Sequence, residues 1–160
     1  MKLEGKTIIV TGSGTGIGKA IAKLCTQEGA NLVINDKDEA LANKTVQELG
    51  PDQAFAHIQD LTEEGCATEL IALAKERFGR IDGLVNNAAF VTWSDIESTD
   101  PDYFRKVLDV NLVAPLSLIQ AALPDLKANK GSIVNIGSVN AYCGEPTLLA
   151  YSASKEHLPP

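Results

Sequence analysis

Short apolar runs alternate along the chain with longer stretches in which apolar residues recur at helical spacing. Lys6 to Val10, Asn31 to Asn35, Ala54 to Ile58, Ile81 to Val85 and Ser132 to Ile136 read as buried strands. The helix after the first strand places Ile17, Ala20, Ile21 and Leu24 on one face and is expected to stop near Gly29. Glu39 to Leu49 reads as a helix ended by Gly50-Pro51, and Thr62 to Phe78 as one that turns Leu70, Ile71 and Ala74 inward. Asp100-Pro101 suits the start of a long helix, since Asp can cap it and Pro fits the first helical position. That helix is predicted to run to about Leu126 with Pro115 inside it, and a sixth begins near Ala150.

Strands and helices that alternate with short connections predict a parallel sheet covered on both faces. Right-handed crossovers make this a doubly wound α/β fold of the Rossmann type, with about five strands and a single domain over residues 1–160. Ligands in such sheets bind at the carboxyl ends of the strands, near the point where the strand order reverses.

Composition narrows the partners. The chain has 160 residues, 44% of them hydrophobic and 22% charged, as expected of a globular protein. Its net charge of −7 disfavours nucleic acid and membrane surfaces, but not a small anion held by uncharged backbone N–H groups. Cys25, Cys66 and Cys143 are odd in number and form no C-x-x-C pair, so reduced thiols in a cytoplasmic protein are expected, without disulfide or metal site. Neither a secretory signal nor a membrane span is expected.

The first candidate chemistry is the loop Thr11-Gly12-Ser13-Gly14-Thr15-Gly16-Ile17-Gly18. Glycines let a phosphate approach the backbone, and the following helix points free N–H groups and its positive end at it. A P-loop match fails, because position 13 is Ser and position 20 is Ala. Strict G-x-G-x-x-G spacing fails at Ile17. Gly12-x-Gly14-x-Gly16 fits methyltransferases that bind S-adenosylmethionine, although Val10 stands where they usually carry an acid. T-G-x-x-x-G-x-G remains. Asp36, 24 residues after Gly12, can accept hydrogen bonds from both hydroxyls of an adenosine ribose and would repel a 2′-phosphate. NAD is therefore favoured over NADP, and the non-basic Thr15 agrees; Lys37 weighs against it, and a solvated strand end is the alternative for Asp36.

Asn86-Asn87-Ala88-Ala89, Asn111, Ser138 and Tyr151-x-x-x-Lys155 follow in order. With the glycine loop, this set resembles the short-chain dehydrogenase/reductase family over residues 3–155. The resemblance implies an NAD-dependent oxidoreductase that moves hydride between the cofactor and a secondary alcohol or ketone. Tyr151 would be the acid/base, Lys155 its tuner, Ser138 the group that orients substrate, and Asn111 part of a proton relay. Gly12, Thr15, Gly16, Ile17, Gly18, Asp36, Asp60, Leu61, Asn87, Tyr151 and Lys155 would contact the cofactor, with Asp60 meeting the adenine amino group. Ala89 replaces the glycine usual at that position.

The residue types suit the chemistry. A free phenol titrates near 10, too high for a base at neutral pH. A Lys⁺ four residues on lies one turn away on the same helical face, and its charge favours tyrosinate. Pro115 lacks an N–H, so the carbonyl of Asn111 loses its helical partner. Asp60 can also cap the helix ahead of Thr62. His57 and His157 have no evident partners, and Trp93 and Tyr142 suit either a pocket wall or core packing.

After Lys155 the chain reads Glu156-His157-Leu158-Pro159-Pro160, where the family normally continues with further helices and strands. The resemblance thus implies a truncated member with an exposed fifth strand, association into a homo-oligomer, and weakened activity. A non-catalytic dinucleotide-binding or interaction remnant is the competing expectation.

Overall fold

A computed structural model describes residues 1–156. Five strands, β1 (Thr7–Thr11), β2 (Asn31–Asp36), β3 (Ala54–Ile58), β4 (Gly83–Asn86) and β5 (Ser132–Asn135), form one sheet in the order β3-β2-β1-β4-β5. All neighbours are parallel, with Ile9 opposite Val33 and Leu84, and Val85 opposite Val134. This is the predicted Rossmann-type fold.

Side-chain alternation in the strands builds two apolar layers. Ile9, Val33 and Leu84 pack with Leu70, Ile71 and Ala74 of α3 (Cys66–Phe78) and Leu118, Ala122 and Leu126 of α5 (Ala114–Asn129). Ile8, Val10, Leu32, Ile34 and Val85 face the other way, onto Ala22 of α1 (Gly16–Gln27) and Ala42 of α2 (Glu39–Leu49). The chain leaves β1 toward β2 on one side and reaches β4 on the other, so the strand order reverses between β1 and β4. β5 is an outer strand, with Ser132 and Val134 exposed.

Three sequence expectations are corrected. α1 begins at Gly16 and buries Gly18 and Ala22, whereas Ile17 and Leu24 are 65% and 63% exposed. The small residues let the helix lie close to the glycine loop, and this contact outweighs the apolar stripe. α3 begins at Cys66 rather than Thr62, because Asp60 accepts hydrogen bonds from the Thr62 N–H and hydroxyl at 3.0 and 2.8 Å and holds a turn ahead of the helix. The long helix is interrupted: α4 (Pro101–Leu108) passes into a π-helical turn, Asp109–Val113, before α5. This widening contains Asn111 and precedes Pro115, where the missing N–H was expected to disturb the ladder. By length and apolarity the combined run Pro101–Asn129 is the single helix among the described residues that could cross a membrane, although its Leu118, Ala122 and Leu126 lie in the core.

Asp82 stitches the amino ends of the strands. Its carboxylate accepts from Arg80 at 2.6 and 2.7 Å, from Lys6 Nζ at 3.0 Å and from the Thr7 N–H at 3.0 Å, and its carbonyl accepts from the Ser132 N–H. Burial works against the charge, but Arg80, the Thr7 amide and Lys6 outweigh it and hold the pKa at about 2 rather than 3.8. A depressed carboxyl stabilises the fold above its unfolded pKa and loses that contribution as pH falls through the folded value. Urea titrations should therefore show the stability gap between the native protein and Asp82→Asn narrowing by about 2 kcal/mol from about pH 6 to about pH 2. A gap independent of pH would remove Asp82 as a charged anchor.

Candidate functional site

At the carboxyl ends of β1, β2 and β4 lies a cavity of about 380 Å³. Gly12, Thr15, Ile17, Asp36, Asp60, Leu61 and Asn87 line it, and each was singled out in the sequence. Thr15 precedes α1 without a side-chain cap bond, so the leading amides of the helix are not capped by that hydroxyl. Such a helix start suits a phosphate. Gly12 has φ +60°, and a Cβ there would come within 2.9 Å of the Ala88 Cα, so only glycine fits this strand-to-strand crossing.

Asp36 ends β2 beside the loop. Its Oδ2 accepts the Gly14 N–H at 2.9 Å and its Oδ1 the Asp38 N–H at 3.1 Å, which fixes the carboxylate and leaves lone pairs for further donors. Asp60 Oδ1 takes both Thr62 bonds. The Thr62 amide foremost, then the Thr62 hydroxyl, Lys37 and Lys106 hold the Asp60 carboxyl below its ordinary range against the opposing effect of burial.

Asn87 braces the floor. Its Nδ2 donates to the carbonyls of Thr11 and Gly12 at 2.9 and 3.1 Å. Thr11, named in the sequence only as the first residue of the glycine loop, is the other half of this joint. Its hydroxyl accepts the N–H groups of Asn87 and Ala88, both at 3.0 Å, and donates to the Val85 carbonyl at 3.3 Å. The signal was the threonine opening T-G-x-x-x-G-x-G. Lys37, Ala88 and Ala89, named in the sequence without a cofactor contact, also line the cavity, as do Asn35, Gln59, Phe90, Lys106 and Val110, which were missed because their spacing in the sequence carries no pattern. Behind Asn35 the His57 Nδ1 lies 3.1 Å from Asn35 Nδ2, and burial pushes the imidazole pKa down. His157 lies outside the described residues.

Four expected cofactor residues, Gly16, Gly18, Tyr151 and Lys155, stand back from the wall. Gly16 and Gly18 do not line the cavity; Gly18 instead packs under Gly12 and Asn87.

Ser138, Tyr151 and Lys155 form a second group, which does not line this cavity. α6 (Leu149–Glu156) packs against both the π-helical turn holding Asn111 and the 3₁₀ turn Val139–Ala141 that follows Ser138. Lys155 is buried, its ammonium donates to the Ile136 carbonyl at 2.8 Å, and burial pushes its pKa below the usual lysine value. The same ammonium lies 5.7 Å from the centre of the Tyr151 ring. Ser138 Oγ donates to Asn140 Oδ1 at 3.1 Å and accepts the Asn140 N–H at 3.2 Å. Asn111 is buried; its amide binds both the N–H and the carbonyl of Phe90, at 2.7 and 3.0 Å, and donates to Ser154 Oγ at 2.9 Å. It thereby ties the loop after β4 to α6. Trp93 and Tyr142 are 75% and 86% exposed, which excludes core packing for either.

A cavity at the carboxyl ends of a parallel sheet covered by helices, on a chain that also carries a Tyr–Lys helix, defines a Rossmann-type α/β protein. The short chain dehydrogenase model matches residues 6–158, and the chain belongs to that family. It is 38% identical to the L-fucose dehydrogenase of Rattus norvegicus over 155 residues, covering 96% of this chain and 57% of that protein. It is 36% identical to the NADP-dependent (R)-specific alcohol dehydrogenase of Lentilactobacillus kefiri, with 96% and 62% covered. A crystal structure of the short-chain dehydrogenase/reductase glucose/ribitol dehydrogenase from Brucella melitensis superposes with a TM-score of 0.93 at 34% identity, covering 98% of this chain and 66% of that one. The chain thus spans about three fifths of the length of the curated relatives it matches.

Proposed function

We propose that the protein is an NAD-dependent oxidoreductase acting on a secondary alcohol or ketone, with residues 1–160 serving as one dinucleotide-binding domain. The observation that carries this reading is the Asp36 carboxylate, fixed by the Gly14 amide at the rim of a cavity beside the start of α1. The residues fit the cofactor: the helix start suits its diphosphate, Asp36 its adenosine ribose, and Asp60 its adenine. When bound, NAD supplies the acceptor or donor of hydride.

The chain's own residues handle the proton. Tyr151 exchanges it with the substrate oxygen, and Lys155 favours the charged phenolate and holds the cofactor's second ribose. Ser138 must release Asn140 to donate to the reacting oxygen and steady its developing charge. Asn111, bonded to Phe90 and Ser154, keeps α6 in register with the cavity. The relatives' names, dehydrogenases of a sugar and of an alcohol, support a small hydroxyl-bearing substrate. Homo-oligomeric assembly in the cytoplasm belongs to the same reading.

Fluorescence titration should show NADH binding more tightly than NADPH. Asp36→Ala should invert or erase that preference, because it removes the ribose acceptor and the repulsion of a 2′-phosphate together. Equal affinities in the unaltered protein would defeat the NAD assignment. NADH binding with no turnover across a panel of secondary alcohols would support a non-catalytic dinucleotide-binding protein instead.

A further inference from the structure

Two cations in the cavity wall, Lys37 and Lys106, have no part in the proposed chemistry, and Lys106 is the one set against a second wall residue. Lys106 projects from α4, and its ammonium rests 5.1 Å from the centre of the Phe90 ring. Its neighbour Arg105 is paired with Asp102, whereas Lys106 makes no ion pair among the described residues. The contact with Phe90, itself anchored by Asn111, sets the exposed ammonium beside the loop.

Asp60 lines the same cavity. Both of its Thr62 bonds fall on Oδ1, so Oδ2 has no partner among the described residues. A free anionic acceptor and a free cationic donor therefore line one cavity. Besides the Thr62 amide and hydroxyl, Lys37 first and Lys106 after it favour the charged form of the Asp60 carboxyl. Adenine carries the complement of this couple on one edge: an amino donor beside a ring-nitrogen acceptor. Hypoxanthine and guanine present a carbonyl where adenine has its amine, and would set an acceptor against the Asp60 carboxylate.

We propose that Lys106 is a cofactor-recognition residue that donates to the adenine ring nitrogen beside the amino group accepted by Asp60. This rests on the dinucleotide reading of the cavity. It adds a base-reading donor on α4, an element that the glycine loop and β2 do not reach. It also balances the wall: Asp36 and Asp60 alone would repel an anionic diphosphate, and Lys37 and Lys106 offset them.

Calorimetric titration of the full chain with ADP-ribose and with adenosine tests the assignment without requiring turnover. Lys106→Met should weaken both ligands by about fivefold to tenfold, the range of one charge-assisted hydrogen bond at an exposed rim, and Lys106→Arg should recover most of the loss. The side chain is exposed, so the thermal midpoint of the free protein should not move. Unchanged affinity in Lys106→Met would overturn the proposal. So would a loss confined to ADP-ribose and abolished by salt, which would make Lys106 a general attractor of phosphate. Failure of the unaltered protein to bind ADP-ribose would instead overturn the dinucleotide reading, and this inference with it.

Discussion

Tyr151→Phe is expected to lower kcat for a secondary alcohol by about 10² to 10⁴-fold, the range by which a positioned acid/base accelerates proton transfer. The change deletes one oxygen and keeps the half-buried ring packed on α6. NADH affinity should change far less, because the cavity formed by Gly12, Asp36, Asp60 and Asn87 does not include Tyr151. Both kcat and kcat/KM should fall together, as they do when an interaction made only in the transition state is removed. Lys155 sharpens the test. Its ammonium is buried, held by one carbonyl at Ile136 and set over the Tyr151 ring, so its effect on the proton transfer is exercised through the phenol. Lys155→Met added to Tyr151→Phe should therefore cost much less turnover than Lys155→Met alone, since residues that act as a unit are non-additive. Full turnover by Tyr151→Phe would sink the acid/base assignment.

The parallel, doubly wound sheet was legible because each strand is a short apolar run separated by one amphipathic stretch, and parallel pairing with right-handed crossovers leaves few arrangements. The glycine loop and Asp36 were legible because their chemistry is local: a turn that only glycine makes, and an acid at the next strand end. Asn111 was legible for a covalent reason, the missing N–H of Pro115, and the π-helical turn Asp109–Val113 falls there. The inward face of α1 was not. Apolar periodicity selected Ile17 and Leu24, whereas the contact that sets the helix is the near-touching of Gly18 and Gly12, which leaves no hydrophobic signature. The start of α3 was misread because Asp60 and Thr62 satisfy each other in a turn that competes with the helix. Thr11 as a brace and Lys106 escaped for a third reason. Their partners, Asn87 and Phe90, lie far along the chain and are brought near only by the sheet and by α4.

Gly18→Ala should then be among the costliest small changes in the protein. An added Cβ would lie 2.5 Å from both the Gly12 carbonyl oxygen and Asn87 Nδ2, and 3.0 Å from the Gly12 carbonyl carbon. Two of those three atoms are backbone of the loop that shapes the cavity, and the third makes the hydrogen bonds that hold that loop to β4. None can yield without opening the joint, so overpacking should cost about 2 to 3 kcal/mol and lower NADH affinity at the same time. Gly144→Ala supplies the contrast: a Cβ there meets nothing within 4 Å, and its backbone is not left-handed, so stability should stay within about 0.5 kcal/mol. Asn87→Ala offers a second control. It removes the amide that the new methyl strikes, so Gly18→Ala should cost less in that background than in the unaltered protein, with a coupling of about 1 kcal/mol. Strict additivity of the two changes in urea unfolding would mean that Gly18 and Asn87 do not share the contact on which the floor of the cavity depends.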